Sequence, residues 1–186
     1  MTEKLSPQLA IRNLSNQTVG DFWSWAYSDI TSNRNRGIFA EFLVATALQV
    51  TESPRIEWDA YDLIYGRHKI EVKSAGYLQS WEQLQSSLIR FDIAPKKLWD
   101  AKTNTYSDVP GRAADYYVFC LHNETDPDSA DVLDVSRWIF FIVTTEFLDT
   151  QFPYQKTIGL AAVQTFCSQV QFHEIKSELD SIIERT

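Results

Sequence analysis

Around one short stretch of the chain, apolar and polar residues alternate with a period of two. Residues 60–74 read AYDLIYGRHKIEVKS. Tyr61, Leu63, Ile70 and Val72 alternate with Asp62, Ile64, Lys69, Glu71 and Lys73, the periodicity of a strand. Gly66-Arg67 interrupts the run, and Gly supplies the positive φ that a type II′ turn needs at its first central position. The pattern predicts a hairpin pairing Tyr65 with His68, Ile64 with Lys69, Leu63 with Ile70 and Asp62 with Glu71. Asp62, Glu71 and Lys73 then share one face. Tyr61, Leu63, Ile70 and Val72 form the other, a core face.

Elsewhere the pattern predicts further elements. Residues 15–30 read as an aromatic-rich helix packed on the body, with Asn16 or Thr18 as a cap. Residues 31–37 are a polar turn carrying Arg34 and Arg36. Residues 38–50 form a helix that is apolar around nearly its whole circumference, hence buried on most sides. Residues 54–59 suggest an additional strand. Residues 79–88 follow as a helix and 90–93 as a short strand, and 95–112 are irregular and carry Lys96, Lys97, Lys102 and Arg112. The runs at 115–122 and 138–144, DYYVFCLH and WIFFIVT, suit central strands. A short helix opens at 145–148, and an amphipathic helix spans 172–185. Helices interleaved with strands predict one α/β domain over residues 1–186.

The length of 186 residues, with six tryptophans, suits a single real core. A net charge of −8 opposes a surface that binds polyanions everywhere but leaves room for a local basic cleft. No apolar run is long enough to span a membrane, and the first residues have no apolar run of signal-peptide type. Cys120 and Cys167 lack metal-ligand spacing and read as reduced core residues of a cytoplasmic protein. His68, His122 and His173 share no triad spacing, and no Gly-rich phosphate loop is present.

Two carboxylates directly opposite on a sheet repel each other. A fold tolerates Asp62 and Glu71 there if something positive sits between them. Lys73 is one candidate and a hard divalent cation, Mg²⁺ or Mn²⁺, the other. A solvated strand face would also carry such residues. Glu41, the one charged residue in the apolar helix, needs a partner because an unpaired buried charge is costly. Either an arginine such as Arg36 or Arg34 pairs with it, or it points at the Asp62/Glu71 face.

Asp62, followed after a turn by Glu71-Val72-Lys73, with Glu41 on the preceding buried helix, resembles the active-site signature of the PD-(D/E)xK nuclease superfamily. The likeness covers residues 36–122, which would be the αβββαβ core. Tyr61 stands where the family often has Pro, and the acidic balance is a second departure. The resemblance implies a three-layer restriction-endonuclease-like fold, with a central mixed sheet flanked by helices. It implies that Asp62, Glu71 and the Val72 carbonyl hold Mg²⁺ or Mn²⁺, and that Glu41 holds a second ion or its water shell. Lys73 would act on the attacking water or on the phosphate. Gln79 and Gln83 would contact the substrate or the site's surroundings. The activity implied is metal-dependent hydrolysis of DNA phosphodiester bonds. The alternative is a non-catalytic nucleic-acid-binding or protein-interaction module that keeps the fold, with Tyr77, Trp81 and Trp99 as surface aromatics. The sequence leaves assembly as a homodimer open.

Overall fold

Of the two apolar runs expected as central strands, residues 116–122 lie inside the main sheet, but residues 138–144 form its outer strand, where Phe140 is bridged by Val170. The computed structural model describes residues 3–57, 60–97, 99–100 and 105–186, without the side chains of Trp99 and Asp100. In chain order the helices are α1 (Val19–Tyr27), α2 (Asn33–Ala47), α3 (Thr145–Gln151), α4 (Leu160–Val163) and α5 (Ile175–Arg185). The strands are β1 (Leu63–Tyr65), β2 (His68–Gly76), β3 (Arg90–Asp92), β4 (Trp99–Asp100), β5 (Thr105–Tyr106), β6 (Tyr116–His122), β7 (Trp138–Thr144) and β8 (Thr157–Gly159).

The main sheet has the order β1-β2-β6-β7. β1 is antiparallel to β2, β2 parallel to β6, and β6 antiparallel to β7. All seven residues of β6 are buried, as a strand covered on both faces requires. On one face Val72, Val118, Trp138 and Phe140 pack with Ala40, Leu43 and Val44 of α2 and with Ile175 and Leu179 of α5. On the other, Phe119, Leu121, Phe141 and Val143 pack with Phe91 of β3, Ile158 of β8, Leu148 of α3 and Val163 of α4. The protein is therefore an α/β fold built on a mixed four-stranded sheet, as the patterning predicts. Among the described residues no helix is long and apolar enough to cross a membrane.

The hairpin has the predicted register: Tyr65 faces His68, Ile64 faces Lys69 and Leu63 faces Ile70. Gly66 has φ +61°, the conformation for which a glycine was expected. The alternation ends one residue earlier than predicted. Tyr61 does not join Leu63 and Val72 but packs with the opposite cluster, its ring 5.2 Å below Lys69 Nζ.

Several elements differ from expectation for local reasons. Ser32 caps α2 by accepting from the Asn35 N–H at 3.4 Å, so most of the predicted polar turn is the first turn of that helix. Arg36 consequently lies inside, 3% exposed. Residues 79–88 are irregular rather than helical. The Gln83 side chain accepts from the Gln79 N–H at 2.7 Å and donates to the Tyr77 carbonyl at 3.3 Å, local bonds that compete with a helix. In α1 the Thr18–Asp21 capping box forms as the cap residue promised. None of its residues is buried, however, and Trp25 is 85% exposed, so the expected packing on the body is not found. Residues 54–57 form no strand, and Trp58, Asp59 and Lys102 lie outside the described residues.

Arg36 ties α2 to the end of β2. Its Nη1 donates to the carbonyls of Thr31 and Leu78, each at 3.1 Å, and Nη2 donates to Asn33 Oδ1. The guanidinium passes so close to Gly76 that a Cβ there would stand 3.3 Å from it. Gly76→Ala should cost about 1–3 kcal/mol, the usual range for overpacking, and clearly less in an Arg36→Ala background. A double-mutant cycle in urea checks this; equal costs in both backgrounds would show that the close approach does not matter.

Candidate active site

The site begins where β1 stops. The N–H of Asp62 donates to the Ile70 carbonyl at 3.0 Å, and Asp62 Oδ2 accepts from the N–H of Val72 at 2.7 Å. A side chain thus takes the place of the strand backbone that would otherwise pair with Val72. Backbone groups alternate sides along a strand, so the Val72 carbonyl points toward the same edge as its N–H. The bond fixes the Asp62 carboxylate beside β2, and Oδ1 carries no hydrogen bond among the described residues.

Glu71 and Lys73 alternate with Val72 and project from the opposite face of β2, next to Tyr117 and Phe119 of β6. Lys73 Nζ is paired with Glu71 Oε1, and both side chains are largely buried. Burial raises the Glu71 pKa above the usual carboxylate range, and the Asp62 charge adds to the rise against the opposing pull of Lys73 and Lys96. Burial alone would lower the Lys73 pKa, but Glu71, Asp62 and Asp92 outweigh it and hold the ammonium charged. Asp62, Glu71 and Lys73 line one cleft of about 370 Å³ together with Asp92, Lys96, Lys97 and Arg112.

The far wall of this cleft comes from the segment predicted to be an irregular basic loop. Lys96 and Gly111 exchange two backbone hydrogen bonds of 2.9 Å, which close the segment into an arm. Lys96 Nζ reaches Asp92 at 2.9 Å. Arg112 serves the fold: it donates to the carbonyls of Ile93 and Phe152, each at 2.9 Å, and pairs with Asp149. Lys97 is exposed and has no ion-pair partner among the described residues.

Glu41 is buried on α2, but its carboxylate is engaged by Arg55, which donates from Nη2 at 2.9 Å and also from Nε. Neither arginine weighed from the sequence is the partner. Arg34 pairs with Glu57 at 3.5 Å, and Arg36 faces the opposite way, toward Leu78. Glu41 lines a neighbouring, more apolar cavity of about 500 Å³, and Asp62 belongs to both cavities. Burial raises the Glu41 pKa most, Asp62 raises it further, and Arg55 and Lys73 oppose the rise. The Asp62 charge thus acts on both Glu41 and Glu71. Gln79 and Gln83 lie outside the main cleft, bonded to each other's segment.

A divalent ion would have two carboxylates and one carbonyl to bind: Asp62, Glu71 and Val72. Among the described residues no group of three or more His, Cys, Asp or Glu side chains is arranged to hold a metal. The smaller set suits Mg²⁺, which keeps several waters and uses one or two carboxylates. The repulsion that raises Glu71 is what a cation between Asp62 and Glu71 would relieve. Compared with protein-family models, with curated proteins and with solved structures, the chain matches none.

Three substitutions probe this arrangement. Asp62→Asn keeps an acceptor for the Val72 N–H and removes the shared negative charge. Groups with raised carboxyl pKa stabilise the fold at low pH and lose that contribution as pH climbs through the raised values. Asp62→Asn should therefore lower the Glu71 and Glu41 titration midpoints and leave stability at pH 7 unchanged or improved. Asp62→Ala should cost about 1–3 kcal/mol by orphaning the Val72 N–H. Carboxyl NMR titration and urea unfolding check both, and equal destabilisation by Asn and Ala would count against the stand-in role. Arg55→Ala should cost about 1–3 kcal/mol at pH 7, below the full price of breaking a buried pair because Arg55 is partly exposed. The deficit should shrink as pH falls to about 4 and Glu41 takes up a proton; a deficit independent of pH would show that the lost charge pairing is not its cause.

Proposed function

We propose that the protein is a metal-dependent nuclease of the PD-(D/E)xK type that hydrolyses DNA phosphodiester bonds. The observation that carries this reading is the placement of Asp62, Glu71 and Lys73 in one open cleft beside Lys96 and Lys97. The parallel β2–β6 pair, with an antiparallel strand on each side, supports the restriction-endonuclease-like form of an α/β sheet. The cleft carries four cationic side chains, Lys73, Lys96, Lys97 and Arg112, against Glu57, Asp62, Glu71 and Asp92, so it is far less acidic than the chain of net charge −8 as a whole and can meet a phosphate.

When bound, Mg²⁺ or Mn²⁺ would polarise the scissile phosphate and lower the pKa of a water. Asp62, aligned by the Val72 N–H, and Glu71, with the Val72 carbonyl, are the groups that would hold it. Lys73 donates from its ammonium to a non-bridging phosphate oxygen or to the attacking water, opposing the negative charge that grows as phosphorus is attacked. Water adds to phosphorus and gives up a proton to solvent, the bond to the leaving oxygen breaks, and that oxygen takes up a proton from solvent, so that one water is consumed in all. Lys96 and Lys97 neutralise flanking phosphates. Glu41 acts from behind through Asp62 and supports the site electrostatically. Cys120 and Cys167, both free thiols, fit a reducing compartment such as the cytoplasm.

A second reading, a binding module without turnover, is favoured by one observation: Arg55 already occupies Glu41. Incubation of plasmid and oligonucleotide DNA with Mg²⁺ or Mn²⁺ separates the two. The nuclease reading expects cleavage that chelator abolishes. Lys73→Ala should lose at least about 100-fold in rate, the scale of removing one charge-stabilising donor, with unchanged circular dichroism. Cleavage that persists in Lys73→Ala or ignores chelator would overturn it. Mn²⁺ binding by calorimetry with no cleavage would leave the module.

A further inference from the structure

A third cavity, of about 230 Å³, opens at the end of β2, and its walls carry Arg36, Arg90, Gln79, Trp81 and Leu88. In a chain of net charge −8 it is lined by two arginines and, among the described residues, by no carboxylate. Arg36 is buried with only neutral partners: two carbonyls and the Asn33 amide. Its Nε and Gln79 Oε1 are buried polar atoms without a hydrogen-bond partner. Arg90 is exposed at the rim and has no ion-pair partner among the described residues. Trp81 lines the same cavity with 58% of its surface open, and Leu88 is exposed as well.

The position of this cavity matters as much as its content. Arg90 lines it, while Asp92, two residues along β3, lines the carboxylate cleft. On β2, Lys73 lines the cleft and Ser74 and Ala75 line the third cavity. Two residues of strand span roughly 7 Å, comparable to one nucleotide step of an extended strand. The two cavities thus adjoin along the same pair of strands. A cation next to an exposed aromatic ring is the combination that binds single strands: the backbone meets the charge, and the base stacks on the ring.

We infer that this cavity is the subsite for the nucleotide next to the scissile phosphate, with Arg90 on its phosphate and Trp81 stacked on its base. The inference rests on the nuclease reading for the position of the scissile phosphate. It assigns the substrate class as single-stranded or locally unpaired nucleic acid, because a base paired in a duplex cannot lie on the ring.

The test uses fluorescein-labelled dT12, and the same strand annealed to dA12, with the full-length protein in Ca²⁺, read by anisotropy. Trp81→Ala and Arg90→Ala should each weaken dT12 binding about tenfold, the scale of one stacked base or more. Trp81→Phe should recover most of the loss, and duplex binding should respond less than twofold. Because Trp81 and Arg90 are exposed, the variants should keep the wild-type circular dichroism, and each is compared only in folded form. Wild-type affinity for dT12 in Trp81→Ala, or tighter binding of the duplex than of dT12 by the native chain, overturns the inference. Cleavage of dT12 by the native chain in Mg²⁺ is scored separately. Trp81-dependent binding with no cleavage in Mg²⁺ or Mn²⁺ keeps the subsite and overturns the nuclease reading. Cleavage with Trp81-independent binding does the reverse.

Discussion

A carboxylate standing in for a strand backbone is the constraint on which the site depends. Val72 sits two residues beyond Ile70, the last partner of β1, and without Asp62 its N–H would have no partner on that side. Asp62 closes that gap with its own side chain at 2.7 Å. The chain bends away from the ladder at that point, so Tyr61 falls on the face opposite to the one its parity predicts. The same bond that satisfies the sheet holds a negative charge beside Glu71 and within electrostatic range of Glu41. One side chain thus carries both the sheet's missing bond and the charge of the site.

The fold was legible where apolar periodicity is strong. The runs in β6 and β7, the register set by Gly66 and the terminal helix α5 all follow from pattern alone. It was illegible where polar side chains act on the backbone. Ser32 starts α2 inside a stretch, TSNRNRG, whose composition looks like a loop. Gln79 and Gln83 use their amides to hold residues 77–87 in an irregular path through a sequence whose apolar spacing suits a helix. Hydropathy does not register these bonds, because each is a specific donor meeting a specific acceptor.

The candidate site divides in the same way. Glu71 and Lys73 were legible as neighbours on one face of β2, because strand alternation fixes it. The predicted pairing of Asp62 with Glu71 is absent from the ladder, and Asp62 reaches the same cleft through its side-chain bond to Val72 instead. The partner of Glu41 was not. Arg55 lies fourteen residues downstream, in a segment with no regular structure, and only the path of the chain back along α2 brings them together. A signal did exist: a buried glutamate demands a cation, and Arg55 is the next arginine after the helix. Arg36 was nearer in sequence but projects from another side of α2, toward the end of β2. Helical spacing could have excluded it, since Glu41 lies five residues on and five residues do not share a face.

The distribution of charge joins these observations. An acidic chain can hold a polyanion only if its cations are concentrated and its anions neutralised or hidden. Here Arg55 covers Glu41, Lys73 covers part of Glu71, and Asp62 gives one oxygen to the backbone. Lys96, Lys97 and Arg90 meanwhile face outward along β3 and the arm that follows it. The excess acid lies elsewhere, as in Asp126, Asp128 and Glu124 of the loop before β7. Net charge is thus a poor guide to what such a surface attracts at short range, because at about 8–10 Å of screening a ligand senses the groove and not the whole molecule. On the function proposed above, the acidic bulk would oppose long duplexes laid across the surface, and Arg90 and the exposed Trp81 would be where a single strand is met.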